Sequence, residues 1–179
     1  MFTPNIVLRK LIKLNTKSAG GPDGVPLIFL KRCAHVRSHS LAFLFEHSFN
    51  SCVLPVIWLH AYITPIFKKG DSTSPANYRP ISLTCTTCKI MESIIKDAMS
   101  SALLTANLIT KQQHAFISKH STTSNLLECT SDWSLSLNHK IPVDVIYIDF
   151  ARAFDSVVHA KLLYKLYNLI VPSKSITWI

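Results

Sequence analysis

The stretch Val143–Val157, VDVIYIDFARAFDSV, decides how this chain is read. Val145, Ile146, Tyr147 and Ile148 make a β-branched and aromatic run of the kind that fills a buried strand. The run stops at an acid, Asp149. A second acid, Asp155, follows a short turn and stands where the N-cap of a helical pattern should fall. A carboxylate at the end of a buried strand emerges where the sheet meets solvent on a fixed backbone, a good place to hold a divalent cation. Asp in such a place also serves as a turn residue or helix cap. The stretch by itself leaves both readings open.

Working outward, the chain of 179 residues is long enough for one domain with a real core. A hydrophobic fraction of 48% and a mean hydropathy of +0.25 exclude disorder by composition. Lys and Arg outnumber Asp and Glu by 19 to 10, giving a net charge of +9 and a pI near 9.5. That excess favours a polyanionic partner, nucleic acid ahead of an anionic membrane, unless it is solubility charge spread over the surface. The longest apolar stretch, around Val53–Ile63, is broken by Pro55 and His60 and is too short to span a bilayer. Met1–Leu14 lacks the apolar core and cleavage site of a signal peptide, and five cysteines are an odd number, so reduced thiols are expected. Cys85 and Cys88 form a CxxC without a second Cys or His pair at zinc-finger spacing, which reads as structural.

Apolar spacing predicts helices over Ile6–Leu14, Ser38–Ser51 and Thr84–Thr105, with Phe43 and its aromatic neighbours in the core. Between the first two lies Lys17–Pro26, KSAGGPDGVP, with three of the chain's four glycines. It is either a connecting loop or a basic loop whose glycines let amides approach a phosphate backbone. Ala61–Asp71 and Asn77–Leu83 read as a hairpin, with Pro65 and Pro80 at edge positions and Lys68, Lys69 and Arg79 at the tip and inner face. Such cations suit a triphosphate or a nucleic-acid strand, or else keep a solvated tip from pairing edge to edge. The polar segment Lys111–Thr123 precedes a helix carrying Leu126, Thr130, Trp133 and Leu137. The hydroxyls of Ser121–Thr123 can cap that helix or meet a phosphate there. A last helix carries Val158, Leu162, Leu163, Leu166, Tyr167 and Ile170. The order is mixed α and β without regular βαβ alternation.

Six segments, in this order, resemble the reverse transcriptase of LINE-type (non-LTR, jockey-like) retrotransposons. They are Lys17–Pro26, Ile63–Asp71 (ITPIFKKGD), Asn77–Thr84 (NYRPISLT), Lys89–Ile95 (KIMESII), Gln113–Leu127 (QHAFISKHSTTSNLL) and Val143–His159. The resemblance implies an α+β fold, the fingers and first part of the palm of a right-hand polymerase. About 1–140 would be fingers and connecting helices, and about 141–179 the start of the palm. The implied reaction is template-directed addition of deoxynucleotides to a DNA primer on an RNA template, with two Mg²⁺ ions in the complete enzyme. The implied setting is intracellular, nucleus or cytoplasm, with no membrane partner.

Carried onto this chain, the resemblance makes Asp149 the first catalytic aspartate and a ligand to the metals, with the backbone carbonyl of Phe150 beside it. Arg152 and Ala153 would face the triphosphate through their amides. Phe154 matches the aromatic gate that fills the space of a ribose 2′-hydroxyl. Arg79 matches the fingers arginine on the triphosphate, and Lys68 or Lys69 the hairpin lysine near the γ-phosphate. Asp155 is implied to be a structural helix cap. Lys17, Gly20, Gly21, Gln113, Lys119, Ser121 and Thr122 resemble template- or primer-contacting positions. Departures are Ala115 where the family has Gly, His120 where it has Arg, and the lack of a Gly near Ile170.

The largest departure is an absence. The family's remaining catalytic aspartates form an adjacent Asp-Asp pair, and this chain has no Asp-Asp. The expectation is an incomplete metal site and no polymerase activity from this chain alone, the remainder of the polymerase being a further partner. Three rivals stand beside it: a non-catalytic nucleic-acid-binding remnant, an unrelated metal-dependent phosphotransfer domain, and a relic without a stable fold.

Overall fold

The computed structural model describes residues 1–150, 153–169 and 171–179. These fall into two compact units, 1–101 with 171–179, and 102–170.

In the first unit, α1 (Pro4–Ile12) starts with Pro at its first position and Thr3 as N-cap, whose hydroxyl accepts from the Ile6 N–H. Its buried residues, Val7 and Leu11, are one turn apart and face α3 (Ala34–Ser51). The short α2 (Leu27–Arg32) buries Leu27 and Leu30. The stripe buried on α3 is Ala34, Ser38, Ala42, Phe45 and Ser48, in steps of three and four. Phe43 lies off that stripe, so the expected core position is corrected: its ring is 77% exposed and stacks on His47. Phe45 is fully buried, edge-on to Phe2 and Trp58. The buried hydroxyls of Ser38 and Ser48 donate to the carbonyls of His35 and Val53, so neither is left unsatisfied.

After α3 and a 3-10 turn at Val56–Leu59 comes a hairpin, β1 (Ala61–Phe67) and β2 (Tyr78–Thr84), paired antiparallel with Ala61 opposite Thr84 and Phe67 opposite Tyr78. The expected prolines face each other, Pro65 opposite Pro80. The Lys68 N–H donates to the Asn77 carbonyl, so hydrogen-bonded pairs fall at every second position from there. That pattern leaves Pro65–Pro80 at a non-bonded pair, where neither needs an N–H. Directly after β2, α4 (Thr86–Thr105) buries Thr86, Cys88, Ile90, Met91, Ile94 and Ile95. The last segment, α7 (Ser173–Trp178), returns to α3, with the Trp178 indole donating to Ser48 Oγ and Lys174 to Asn50.

Cys85 and Cys88 are buried in the core and unbridged. Burial, helped by the Glu92 carboxylate beside it, pushes the Cys88 thiol up to about 12. The reactive species of a thiol is its thiolate. In the folded chain at neutral pH, Cys85 and Cys88 are therefore expected to react with a thiol reagent at least about tenfold more slowly than Cys33, Cys52 and Cys129. Mass mapping of a labelling time course checks this.

The second unit contains α5 (Thr122–Asn138) and α6 (His159–Tyr167). Neither buries a residue, and the expected α5 stripe is open, with Leu126 62% and Leu137 64% exposed. The expected strand at Val145–Ile148 is absent: 141–150 has no regular structure, and Tyr147 is 86% exposed. The physical reason is pairing. A β-prone run becomes a strand only by exchanging hydrogen bonds with a neighbour. The described strands β1 and β2 pair with each other. The expected last helix begins at His159, and Ile170 lies outside the described residues. Helices with one small sheet make the chain α+β, and no helix of the described residues is long and apolar enough to cross a membrane.

Candidate functional site

The candidate residues divide between the two units. Lys17, Gly20, Gly21, Lys68, Lys69 and Arg79 belong to the first, and Gln113, Lys119, Ser121, Thr122, Asp149, Phe150, Ala153, Phe154 and Asp155 to the second. Arg152 lies outside the described residues.

The hairpin sets its cations by register. Arg79 is opposite Ile66, and Lys68 lies one bonded pair further toward the tip. Side chains alternate between faces, so Lys68 and Arg79 share the face of Tyr62, Thr64 and Ile66. Lys69 is already in the turn. All three cations are exposed, and among the described residues none is in an ion pair. The register thereby separates Lys68 from Lys69, which the sequence left equivalent.

The tip is held by its own polar groups. Asp71 accepts from the Thr73 N–H at 2.9 Å and the Thr73 hydroxyl at 2.8 Å. These two bonds, the backbone one first, hold the Asp71 carboxyl below its ordinary value. Their contribution is present above the unfolded-state value and is lost as pH falls through the lower folded one. Asn77 and Tyr78 donate to the carbonyls of Asp71 and Ser72. Gly70 has φ +93 at the turn, a conformation glycine adopts without strain.

In the Gly-rich loop, Lys17 is exposed and Gly20 half-buried. Gly21 is buried where the loop meets the β2–α4 junction, and a Cβ there would lie 2.5 Å from the Thr84 carbonyl oxygen and 2.6 Å from Cys85 N and Cα. Its role is close packing of backbone on backbone. Its burial leaves little of it open to a phosphate, which argues against its expected place among nucleic-acid contacts.

In the second unit Ser121 caps α5. The Ser124 N–H donates to Ser121 Oγ and the Ser121 N–H to Ser124 Oγ, a capping box. Thr122 is exposed in the first turn. Sequence reading missed His114, whose side chain is only 8% exposed. Its Nδ1 lies 2.9 Å from Ser124 Oγ and its Nε2 2.7 Å from Glu128, tying the preceding loop to α5. His120 packs on it, ring centres 4.9 Å apart. No periodicity could have announced a contact from an irregular segment. Gln113 donates to the Ala115 carbonyl.

Lys119 has φ +69, a left-handed conformation that costs a residue with a Cβ roughly 1–2 kcal/mol. Lys119→Gly is therefore expected to raise stability by about 1 kcal/mol, after the entropy glycine loses. Urea unfolding of the two chains checks the sign.

Asp149, Phe150, Ala153 and Phe154 are all exposed. The Phe154 ring meets Phe116 edge-on, centroids 6.2 Å apart. Asp155 is not the helix cap: the N-cap of α6 is Val158, without a side-chain cap bond, and Asp155 sits in the turn before it. Among the described residues no group of three or more His, Cys, Asp or Glu could hold a metal ion. Asp149 thus lacks the clustered carboxylates that two dications need, and these residues do not fit a two-metal site.

Residues 66–179 match the family model for reverse transcriptase (RNA-dependent DNA polymerase). The match takes in the hairpin tip, Arg79 and residues 149–154, and the chain belongs to the reverse transcriptase family. It is similar to three Drosophila melanogaster proteins. The RNA-directed DNA polymerase from mobile element jockey is 29% identical over 163 residues. The probable RNA-directed DNA polymerase from transposon BS is 27% identical over 164, and that from transposon X-element 25% over 166. These alignments cover 90%, 91% and 92% of this chain and 18% of each relative, so the chain spans under a fifth of their length.

Proposed function

We propose that this chain forms the fingers, about 1–140, and the opening of the palm, about 141–179, of an RNA-directed DNA polymerase of a non-LTR retrotransposon. Its substrates are an RNA template, a DNA primer and deoxynucleoside triphosphates. The observation that carries the reading is the placement of Lys68 and Arg79 on one hairpin face. A planar guanidinium and an ammonium on a rigid ribbon can donate several charge-assisted hydrogen bonds to triphosphate oxygens. Arg79 orients through its fork, Lys68 adds a point charge, and Phe154 sets sugar choice by occupying the 2′-hydroxyl space. The complete polymerase would use a divalent ion to activate the primer hydroxyl. Asp149 is the residue of this chain committed to that task, and the carboxylates needed beside it are not among the described residues.

That same lack of a carboxylate cluster favours one second reading, a nucleic-acid-binding module without turnover. Two measurements test the pair. The chain alone is expected to give no Mg²⁺-dependent primer extension on RNA, and extension abolished by Asp149→Asn would overturn that. It is expected to bind a primer–template in a salt-dependent way. Neutralising Lys68, Lys69 and Arg79 together should lower the log–log salt slope by about 2–3, near one per lost phosphate contact. An unchanged slope would remove the hairpin from the binding surface in both readings.

A further inference from the structure

Away from the hairpin, a cavity of about 280 Å³ lies between the end of α1, the loop after it and the first turns of α4, all within the first unit. The polar residues lining it are Lys10, Asn15, Ser18, Thr86, Lys89 and Ser93. Each can donate a hydrogen bond, and no Asp or Glu is among the lining residues. Thr86 is 4% exposed, yet its hydroxyl bonds to no group of the described residues. Among those residues no fully buried side-chain polar atom lacks a partner, so the Thr86 oxygen opens onto space, and Thr86 lines this cavity. Lys10 reaches Asp97 at 2.6 Å, but Asp97 is not part of the lining. Lys89 has no ion pair among the described residues. Thr86 opens α4 and Lys89 stands one turn on, so the positive end of the helix dipole adds to the two ammonium groups.

We propose that this cavity is a binding site for a small free oxyanion of the phosphate or sulfate class, held by Lys89 and Thr86 of α4 and Lys10 of α1. An oxyanion accepts hydrogen bonds on every side, which is what a donor-lined, acid-free cavity with an unused buried hydroxyl calls for. The size fits a small ligand, since cavities for drug-sized molecules begin at roughly 300 Å³. Thr86 and Leu27, both more than nine-tenths buried, set the contact deep. A free anion reaches it without the two sugars that flank a phosphate within a strand. The bound anion joins the loop after α1, through Asn15 and Ser18, to the start of α4, a role separate from that of the hairpin cations.

The test is titration calorimetry of the full chain with inorganic phosphate, ionic strength held constant with a chloride salt, beside fluorescence anisotropy with a labelled oligonucleotide. Lys89→Gln and Thr86→Val are each expected to weaken phosphate binding about tenfold or more, the worth of one hydrogen bond to a charged group. Thr86→Ser keeps the hydroxyl and should stay within about threefold of the parent. Lys96→Gln, at an exposed α4 lysine outside the lining, should do the same. Lys89 is exposed like Lys96, so these two variants keep the fold whatever Thr86→Val does to it. Equal phosphate affinity in the parent and Lys89→Gln would overturn the proposal. Equal losses in Lys89→Gln and Lys96→Gln would overturn it too, since net charge alone would then be acting. A loss of oligonucleotide affinity in Lys89→Gln without a loss of phosphate affinity would overturn the choice of a free anion. No saturable binding by the parent chain at millimolar phosphate would remove the site outright.

Discussion

Gly21→Ala is expected to lower the stability of the first unit by about 1–3 kcal/mol, the usual cost of forcing atoms into a closed site. The added methyl would meet the Thr84 carbonyl and the Cys85 N and Cα at 2.5–2.6 Å, all of it backbone, with no flexible side chain to give way. Relief requires moving the loop off the start of α4, where Cys85 and Thr86 are buried. Gly20→Ala is the control. Its nearest contacts, at 3.7 and 3.9 Å, are ordinary van der Waals distances, and the change should stay within about 0.5 kcal/mol. Urea titration followed by fluorescence of the chain, which includes buried Trp58, gives both values. Equal effects of the two substitutions would show that the loop is not seated as described. The result bears on function, because the same loop carries Lys17.

The second large effect concerns Arg79. Arg79→Ala is expected to weaken binding of a deoxynucleoside triphosphate about tenfold to a hundredfold, the worth of one or two hydrogen bonds to a charged group. Stability should hardly change, since Arg79 is exposed and among the described residues has no ion-pair partner. Arg79→Lys should fall between, keeping charge and losing the planar fork. A parent and an Arg79→Ala chain of equal affinity would take the arginine out of the site.

How much of this was legible in the sequence follows from the reach of each interaction. The hairpin was legible because alternation, turn residues and proline placement are local, and the register then followed from a single tip. Helices α1, α3 and α4 were legible from their apolar spacing, and Ser121 from its place before α5. Val145–Ile148 carried equally strong local signals, yet a strand needs a ladder, and pairing is a property of distant residues. Asp155 looked like a cap because a helical pattern followed it. The helix starts only at His159, after Val157 donates back to the Phe154 carbonyl. Phe43 was misplaced because α3 is apolar on more than one side, and only its packing on α1 selects the Ala34–Ser48 stripe. Gly21 and His114 act through close approaches that leave no periodic trace. For the candidate site, the residue types are expectations of the family resemblance, whereas the different placement of Lys68, on the face of Arg79, and Lys69, in the turn, needed the register.

That difference in placement makes Lys68 and Lys69 the sharpest test of the proposed triphosphate site. The direct measurement is the affinity of the full chain for a deoxynucleoside triphosphate, by titration calorimetry, in Lys68→Ala and Lys69→Ala. The expected result is a loss of about tenfold or more for Lys68→Ala, from one charged contact, and within about threefold for Lys69→Ala. A loss confined to Lys69→Ala, or equal in the two, would contradict a triphosphate held on the Lys68–Arg79 face.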